Sequence, residues 1–160
     1  MTRPLVVMGI DPGLASLGWG VIAREGTHFR HVLDGTLHTK PDDGTDEARA
    51  LRLATNVRAL AEAARPELVV MERWVIYPDS STTAAHALGL VIGALVVATA
   101  PTPHLFLRAQ DLRAGLGLPK NGTKDDTRAR VEAVLGARGR SFHSADALAV
   151  AIVGAGRHRR

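Results

Sequence analysis

The apolar positions of this chain fall into runs with two different periods. Leu5-Val6-Val7-Met8-Gly9-Ile10 is continuous and stops at Asp11-Pro12-Gly13, the pattern of a buried strand running into a turn. Gly18-Trp19-Gly20-Val21-Ile22-Ala23 follows closely enough to pair with it as a hairpin, and His28 to Thr39 alternates weakly as a third strand. Between Asp46 and Ala64 the period changes: Ala50, Leu53, Ala54, Val57, Leu60, Ala61 and Ala64 recur at helical spacing until Pro66 stops the helix. A second buried run, Leu68-Val69-Val70-Met71, lies in a strand predicted from Glu67 to Trp74. After a loop at Pro78-Asp79-Ser80-Ser81 comes a long uncharged helix, from about Thr82 to Thr99, and then a short strand, His104 to Leu107. Thr123 to Ala137 reads as a polar helix turning Val131, Val134 and Leu135 inward, and Ser144 to Val153 as a nearly all-apolar one. Gly154 to Arg160 is a basic tail that need not be ordered.

The order βββ-α-β-α-β-α-α predicts an α/β fold with a mixed five-stranded sheet. The three early strands are antiparallel, the later ones are parallel through βαβ steps, and helices pack on the sheet. At 160 residues, without a repeat or linker, residues 1–160 form a single domain. Ser80 to Pro103 carries no Asp, Glu, Lys or Arg, but its uninterrupted apolar core, Ala87 to Ala100, falls short of the ~20 residues a membrane span needs. It is therefore expected to be a buried helix of a soluble protein, not a membrane element. Gly89 and Gly93 would let another backbone approach closely, as at a dimer interface.

Composition narrows the function classes. With 46% hydrophobic and 22% charged residues the chain is neither a disordered tail nor a coiled-coil rod. The absence of cysteine excludes disulfide scaffolds, thiol catalysis and thiolate-bound metal. Asp11 comes too early for a signal-peptide apolar region, so a cytoplasmic location is expected. The net charge of +4 hides an asymmetry: residues 1–100 hold nine Lys/Arg against eleven Asp/Glu, residues 101–160 eleven against five. A basic second half fits a polyanionic partner such as nucleic acid; an Arg-rich, Ala-rich bias in composition would also produce it.

Three carboxylates stand where the pattern calls for apolar residues. Asp11 follows the first buried strand, Glu72 ends the second, and Asp146 interrupts the apolar last helix, with His143 three residues earlier on the same face. Each alone has an ordinary explanation: a turn, a solvated strand end, a first-turn residue favoured by the helix dipole. Together they suggest converging acids that need a cation, and hard divalent ions with oxygen ligands suit that need. Two such ions flanking a phosphodiester, one activating water and one stabilising the leaving oxygen, would give the basic half a role. Acid/base catalysis by paired carboxylates would not.

These residues resemble a known family. Gly9-Ile10-Asp11-Pro12-Gly13 followed by Gly18-Trp19-Gly20-Val21-Ile22 is similar to the opening of RuvC-type Holliday junction resolvases. Val70-Met71-Glu72 resembles their second acidic motif and Ser144-Ala145-Asp146-Ala147-Leu148-Ala149-Val150-Ala151 their last. The likeness runs over nearly the whole chain. It implies an RNase H-like fold with helices on both faces of the sheet. It also implies a homodimeric, Mg²⁺-dependent endonuclease acting in DNA recombination and repair, with two ions per site and Mn²⁺ as a substitute. Such an enzyme nicks four-way DNA junctions symmetrically to leave 5′-phosphates and 3′-hydroxyls, and some members work with a branch-migration complex.

Carried over by position, Asp11, Glu72, His143 and Asp146 are the implied metal and catalytic residues, joined in catalysis by Lys124. Arg113 and Lys124 match the spacing of two family lysines that contact the scissile backbone, with Lys120, Arg128 and Arg130 extending a phosphate track. The family's Phe after the second motif is replaced here by Val75, leaving Trp74 or Tyr77 to stack on bases. The alternative is a non-catalytic junction- or DNA-binding protein on the same fold.

Overall fold

The computed structural model describes residues 3–75 and 81–158. Its strands are β1 (Leu5–Asp11), β2 (Ser16–Glu25), β3 (His28–His38), β4 (Leu68–Glu72) and β5 (His104–Leu107). The helices are α1 (Asp46–Ala64), α2 (Thr82–Thr99), α3 (Ala109–Leu116), α4 (Lys124–Leu135) and α5 (Phe142–Arg157). The sheet runs β3-β2-β1-β4-β5. β1–β2 and β2–β3 pair antiparallel, β1–β4 and β4–β5 parallel, as the pattern predicts.

Strand alternation sorts the side chains between two cores. Leu5, Val7, Leu68 and Val70 face α5, with α3 and α4 beyond, while Met8, Ile10, Val69 and Met71 face α1 and α2. Helices thus cover both faces, and α5 is the central one, buried from Ala147 to Ala155. It lies close to the sheet because the strands present glycines to it. A Cβ at Gly9 would fall 2.0 Å from the Ala147 carbonyl oxygen, and one at Gly18 2.0 Å from that of His143.

Four sequence expectations need correction. α3 was not anticipated: it has only eight residues, and its apolar signal is little more than Leu112 and Leu116, one turn apart. α5 starts earlier than Ser144, because Ser141 caps it and exchanges side-chain-to-backbone hydrogen bonds with Ser144. It also runs past Val153, so Gly154 to Arg157 are its last turn and not a tail. Gly154 is packed against Val70, and Arg24 donates to the carbonyls of Ala155 and His158. Finally, α2 is buried on one side only. Val91, Leu95, Ala98 and Thr99 are covered, whereas Val97 is 68% exposed and nothing among the described residues lies within 4 Å of where a Cβ on Gly89 or Gly93 would stand.

Candidate active site

Register places the first two acids. Ile10 pairs with Met71 across the parallel β1–β4 ladder, so Asp11 and Glu72 are the next residues at adjoining strand ends. Both follow the alternation of Val7 and Val70 and therefore point to the α5 face. α5 brings the other two: His143 and Asp146 are three residues apart, on one helical face, at its N-terminal end. His143 Nδ1 lies 2.9 Å from Asp11 Oδ2 across 132 residues of sequence. A carboxylate accepts, so the imidazole Nδ1–H is the donor and Nε2 takes no part in this bond. Lys124, the first residue of α4, places Nζ 3.4 Å from Asp146 Oδ2.

The carboxylates repel one another. Burial pushes the Glu72 carboxyl above its ordinary value, and the negative charges of Asp11 and Asp146 push it the same way, against the pull of Arg113. Asp146 is raised for the same reasons, by burial and then by Asp11, while Lys124 and His143 oppose the shift. Glu72, Asp146, Arg113 and Lys124 border a cleft, with Thr123 and Thr127 on the α4 side. The site is therefore an anionic floor with a cationic wall.

Among the described residues no three His, Asp or Glu side chains stand close enough together to hold a metal ion. The donor set nonetheless suits a hard divalent cation: oxygen donors on three elements, of which Glu72 and Asp146 are raised by burial and by neighbouring negative charge, with no thiolate in the chain.

Other residues singled out from the sequence are distributed unevenly. Arg113 lines the cleft, and Trp74, half-buried, stands just beyond Glu72. Lys120 is exposed on the α3–α4 loop and does not line the cleft. Arg128 and Arg130 are occupied elsewhere. Arg128 donates to the Gly139 carbonyl at 3.0 Å and lies over the Phe142 ring, and Arg130 donates to the Leu116 carbonyl at 2.8 Å. Each makes one hydrogen bond within the chain, and Arg130 remains exposed. Tyr77 lies outside the described residues.

A supporting network escaped the sequence reading. Asp34, 2% exposed on β3, accepts from the Arg140 backbone N–H at 2.9 Å and pairs with His31 Nε2 at 2.8 Å. Burial alone would raise its carboxyl, but the hydrogen bonds from Arg140, Ser144 and His31, together with the charge of His31, hold it below its ordinary value. Thr36 and Ser141 hydroxyls meet at 2.6 Å beside it. These contacts fasten the start of α5 to β3, so they set where His143 and Asp146 stand. The Ser141/Ser144 spacing was a legible cap signal; nothing in a weakly alternating strand marked Asp34 as its anchor.

The chain matches known proteins along its length. Residues 7–154 match the family model described as crossover junction endodeoxyribonuclease RuvC. The crossover junction endodeoxyribonuclease RuvC of Parasynechococcus marenigrum (strain WH8102) is 34% identical over 151 residues, covering 92% of this chain and 96% of that protein. The protein of the same name from Rubrobacter xylanophilus is 32% identical over 158 residues, covering 96% of this chain and 87% of the other. Among solved structures, T. thermophilus RuvC in complex with Holliday junction substrate superposes with a TM-score of 0.81 at 28% identity, over 94% of this chain and 92% of that one.

Proposed function

Because the chain belongs to the family of crossover junction endodeoxyribonucleases named RuvC, we propose that it nicks four-way DNA junctions in recombination and repair, working as a homodimer with Mg²⁺ as cofactor. The observation that supports this reading best is that Glu72 and Asp146 line a cleft walled by Arg113 and Lys124, within the electrostatic reach of Asp11, which His143 holds by a hydrogen bond. Asp11, Glu72 and Asp146 would hold the metal, with His143 at its side, and Mn²⁺ would substitute. When bound, the ions supply Lewis acidity toward the attacking water and the leaving oxygen.

The chain's own residues set the rest of the chemistry. Arg113 and Lys124 bind the scissile phosphate from the cleft wall and offset the charge that builds on its oxygens. Their positions differ in kind. Arg113 on α3 is a fork suited to two phosphate oxygens, whereas Lys124 is a point charge already paired with Asp146 and able to turn to phosphate. His143, held by Asp11 through Nδ1, would keep Nε2 for proton transfer. The products would be a 5′-phosphate and a 3′-hydroxyl. One chain offers one such cleft, so paired cuts on strands of like polarity need a second copy. The small-residue outer face of α2, around Gly89 and Gly93, supports that pairing.

The deciding experiment is nicking of a synthetic four-way junction with Mg²⁺ by the wild type and by Asp11→Asn. We expect paired nicks from the wild type, and none from the variant although it still shifts the junction in a gel. Wild-type-like cleavage by Asp11→Asn, or binding without cleavage by the wild type in Mg²⁺ and Mn²⁺ alike, would overturn the proposal; the second result would make it a junction-binding protein.

A further inference from the structure

The cleft does not end at Glu72. A second, wider groove continues from it, sharing Glu72 and Arg113 and lined further on by Arg73, Trp74, Arg108 and Gln110. Sheet geometry brings these four together. Glu72 pairs with Leu107 across the parallel β4–β5 ladder, and the Arg73 N–H donates to the Leu107 carbonyl at 2.6 Å, so both chains leave the sheet side by side. Arg108 is the residue on which α3 begins. Gln110 and Arg113 lie three residues apart on α3, hence on one face, along the line from groove to cleft.

The polar groups here are unspent. Among the described residues the side chains of Arg73, Arg108 and Gln110 make no hydrogen bond or ion pair, whereas Arg24, Arg49, Arg128 and Arg130 are all tied to groups of the chain itself. Glu72, at the border with the cleft, is the one acid among the described residues that line the groove. A half-buried Trp beside two free guanidiniums and a free carboxamide has the composition of a nucleotide site: a stacking surface, phosphate donors and a base-edge reader.

Resting on the nuclease reading above, we infer that this groove is the subsite for the nucleotide next to the scissile phosphate. Arg108 and Arg73 hold its phosphate, Trp74 stacks on its base, and Gln110 reads the base edge and so determines the base preference of the cut. A carboxamide offers a donor beside an acceptor, and adenine, with its amino group next to N7, is the complementary edge. The chemistry that recognises the junction thus extends beyond Arg113 and Lys124 to residues that no acidic motif marks.

The test is single-turnover nicking of a panel of four-way junctions differing only in the base pair flanking the scissile phosphate. The wild type is expected to discriminate across the panel by about tenfold or more, Gln110→Ala to flatten that spread, and Gln110→Glu to shift it toward a base that offers a donor, cytosine. Arg108→Ala should slow every member of the panel about equally and lower the slope of log affinity against log salt by about one. A second readout does not need cleavage: the junction, added in EDTA, should quench Trp74 emission, since the other tryptophan, Trp19, is only 8% exposed. Unchanged discrimination in Gln110→Ala, no discrimination in the wild type, an unaltered salt slope in Arg108→Ala, or no Trp74 response would each overturn the subsite. Quenching by a protein that never nicks would instead sink the nuclease reading and leave the groove as a DNA site.

Discussion

Gly18 is where a single methyl group should separate catalysis from folding and binding. An alanine Cβ there would stand 2.0 Å from the His143 carbonyl oxygen and 2.3 Å from its carbonyl carbon. Cβ atoms essentially never approach below 3.0 Å, so β2 and the start of α5 must part by about 1 Å. The obstacle is backbone and cannot swing aside. The Nδ1–Oδ2 distance of 2.9 Å between His143 and Asp11 has no such slack, and displacement on this scale takes it out of hydrogen-bond range. Overpacking of this kind costs about 1–3 kcal/mol of stability, while a misplacement of ~1 Å at reacting groups costs about 100-fold in rate. The assay is nicking at saturating enzyme, alongside a junction Kd from gel shifts and a thermal melt. Gly18→Ala should lose about 100-fold in rate, change Kd by less than about threefold, and keep a cooperative melt a few degrees lower. Gly20→Ala is the comparison, since its Cβ meets chiefly the movable end of Leu148, at 2.6 Å, and should spare the rate. A Gly18→Ala enzyme that nicks at the wild-type rate would refute the reasoning. So would equal rate losses in both variants that follow their losses of stability.

The remaining predictions concern charge and assembly. Glu72 has a folded pKa above its ordinary 4.5, so it takes up protons on folding, and the metal-free protein loses stability as pH rises from there through the raised value. Glu72→Gln should therefore melt higher than the wild type in EDTA at neutral pH, by roughly 2–4 °C per kcal/mol relieved, while nicking is lost; a lower melting point would contradict the crowding of acids. Asp34 is the opposite case. Its folded pKa lies below 3.8, so its stabilisation is present above that value and disappears as pH falls through the folded one. Asp34→Ala should cost about 2–3 kcal/mol at neutral pH by stranding the Arg140 N–H and the His31 ring, and should flatten the acid limb of the denaturation curve. For the proposed pairing through α2, Gly93→Arg should give a folded monomer by sedimentation and abolish paired nicks; an unchanged dimer mass would refute pairing through this face.

Much of this molecule was legible along the chain because strand and helix periods are local properties. The runs at Leu5–Ile10 and Leu68–Met71, the α1 face and the inward residues of α4 follow from side-chain alternation and the 3.6-residue turn, and the structure keeps them. Polar residues in apolar positions singled out Asp11, Glu72 and Asp146 for the same reason: burial of a carboxylate needs a cause. What failed locally was short or shared. α3 carries too few turns to show a period, and α2 looks fully apolar although its neighbours cover one side.

Tertiary structure alone decided which groups meet and which are free. The contact of Asp11 with His143 depends on the β1–β4 register and on glycines that let α5 descend onto the sheet. Arg128 and Arg113 are alike in sequence, both arginines in the basic half, yet one is bound to a carbonyl and a ring while the other lines the cleft. Sequence sets the charge and the period of each segment. The distance between two segments, which determines whether a charge repels, pairs or waits for substrate, exists only after the chain has folded.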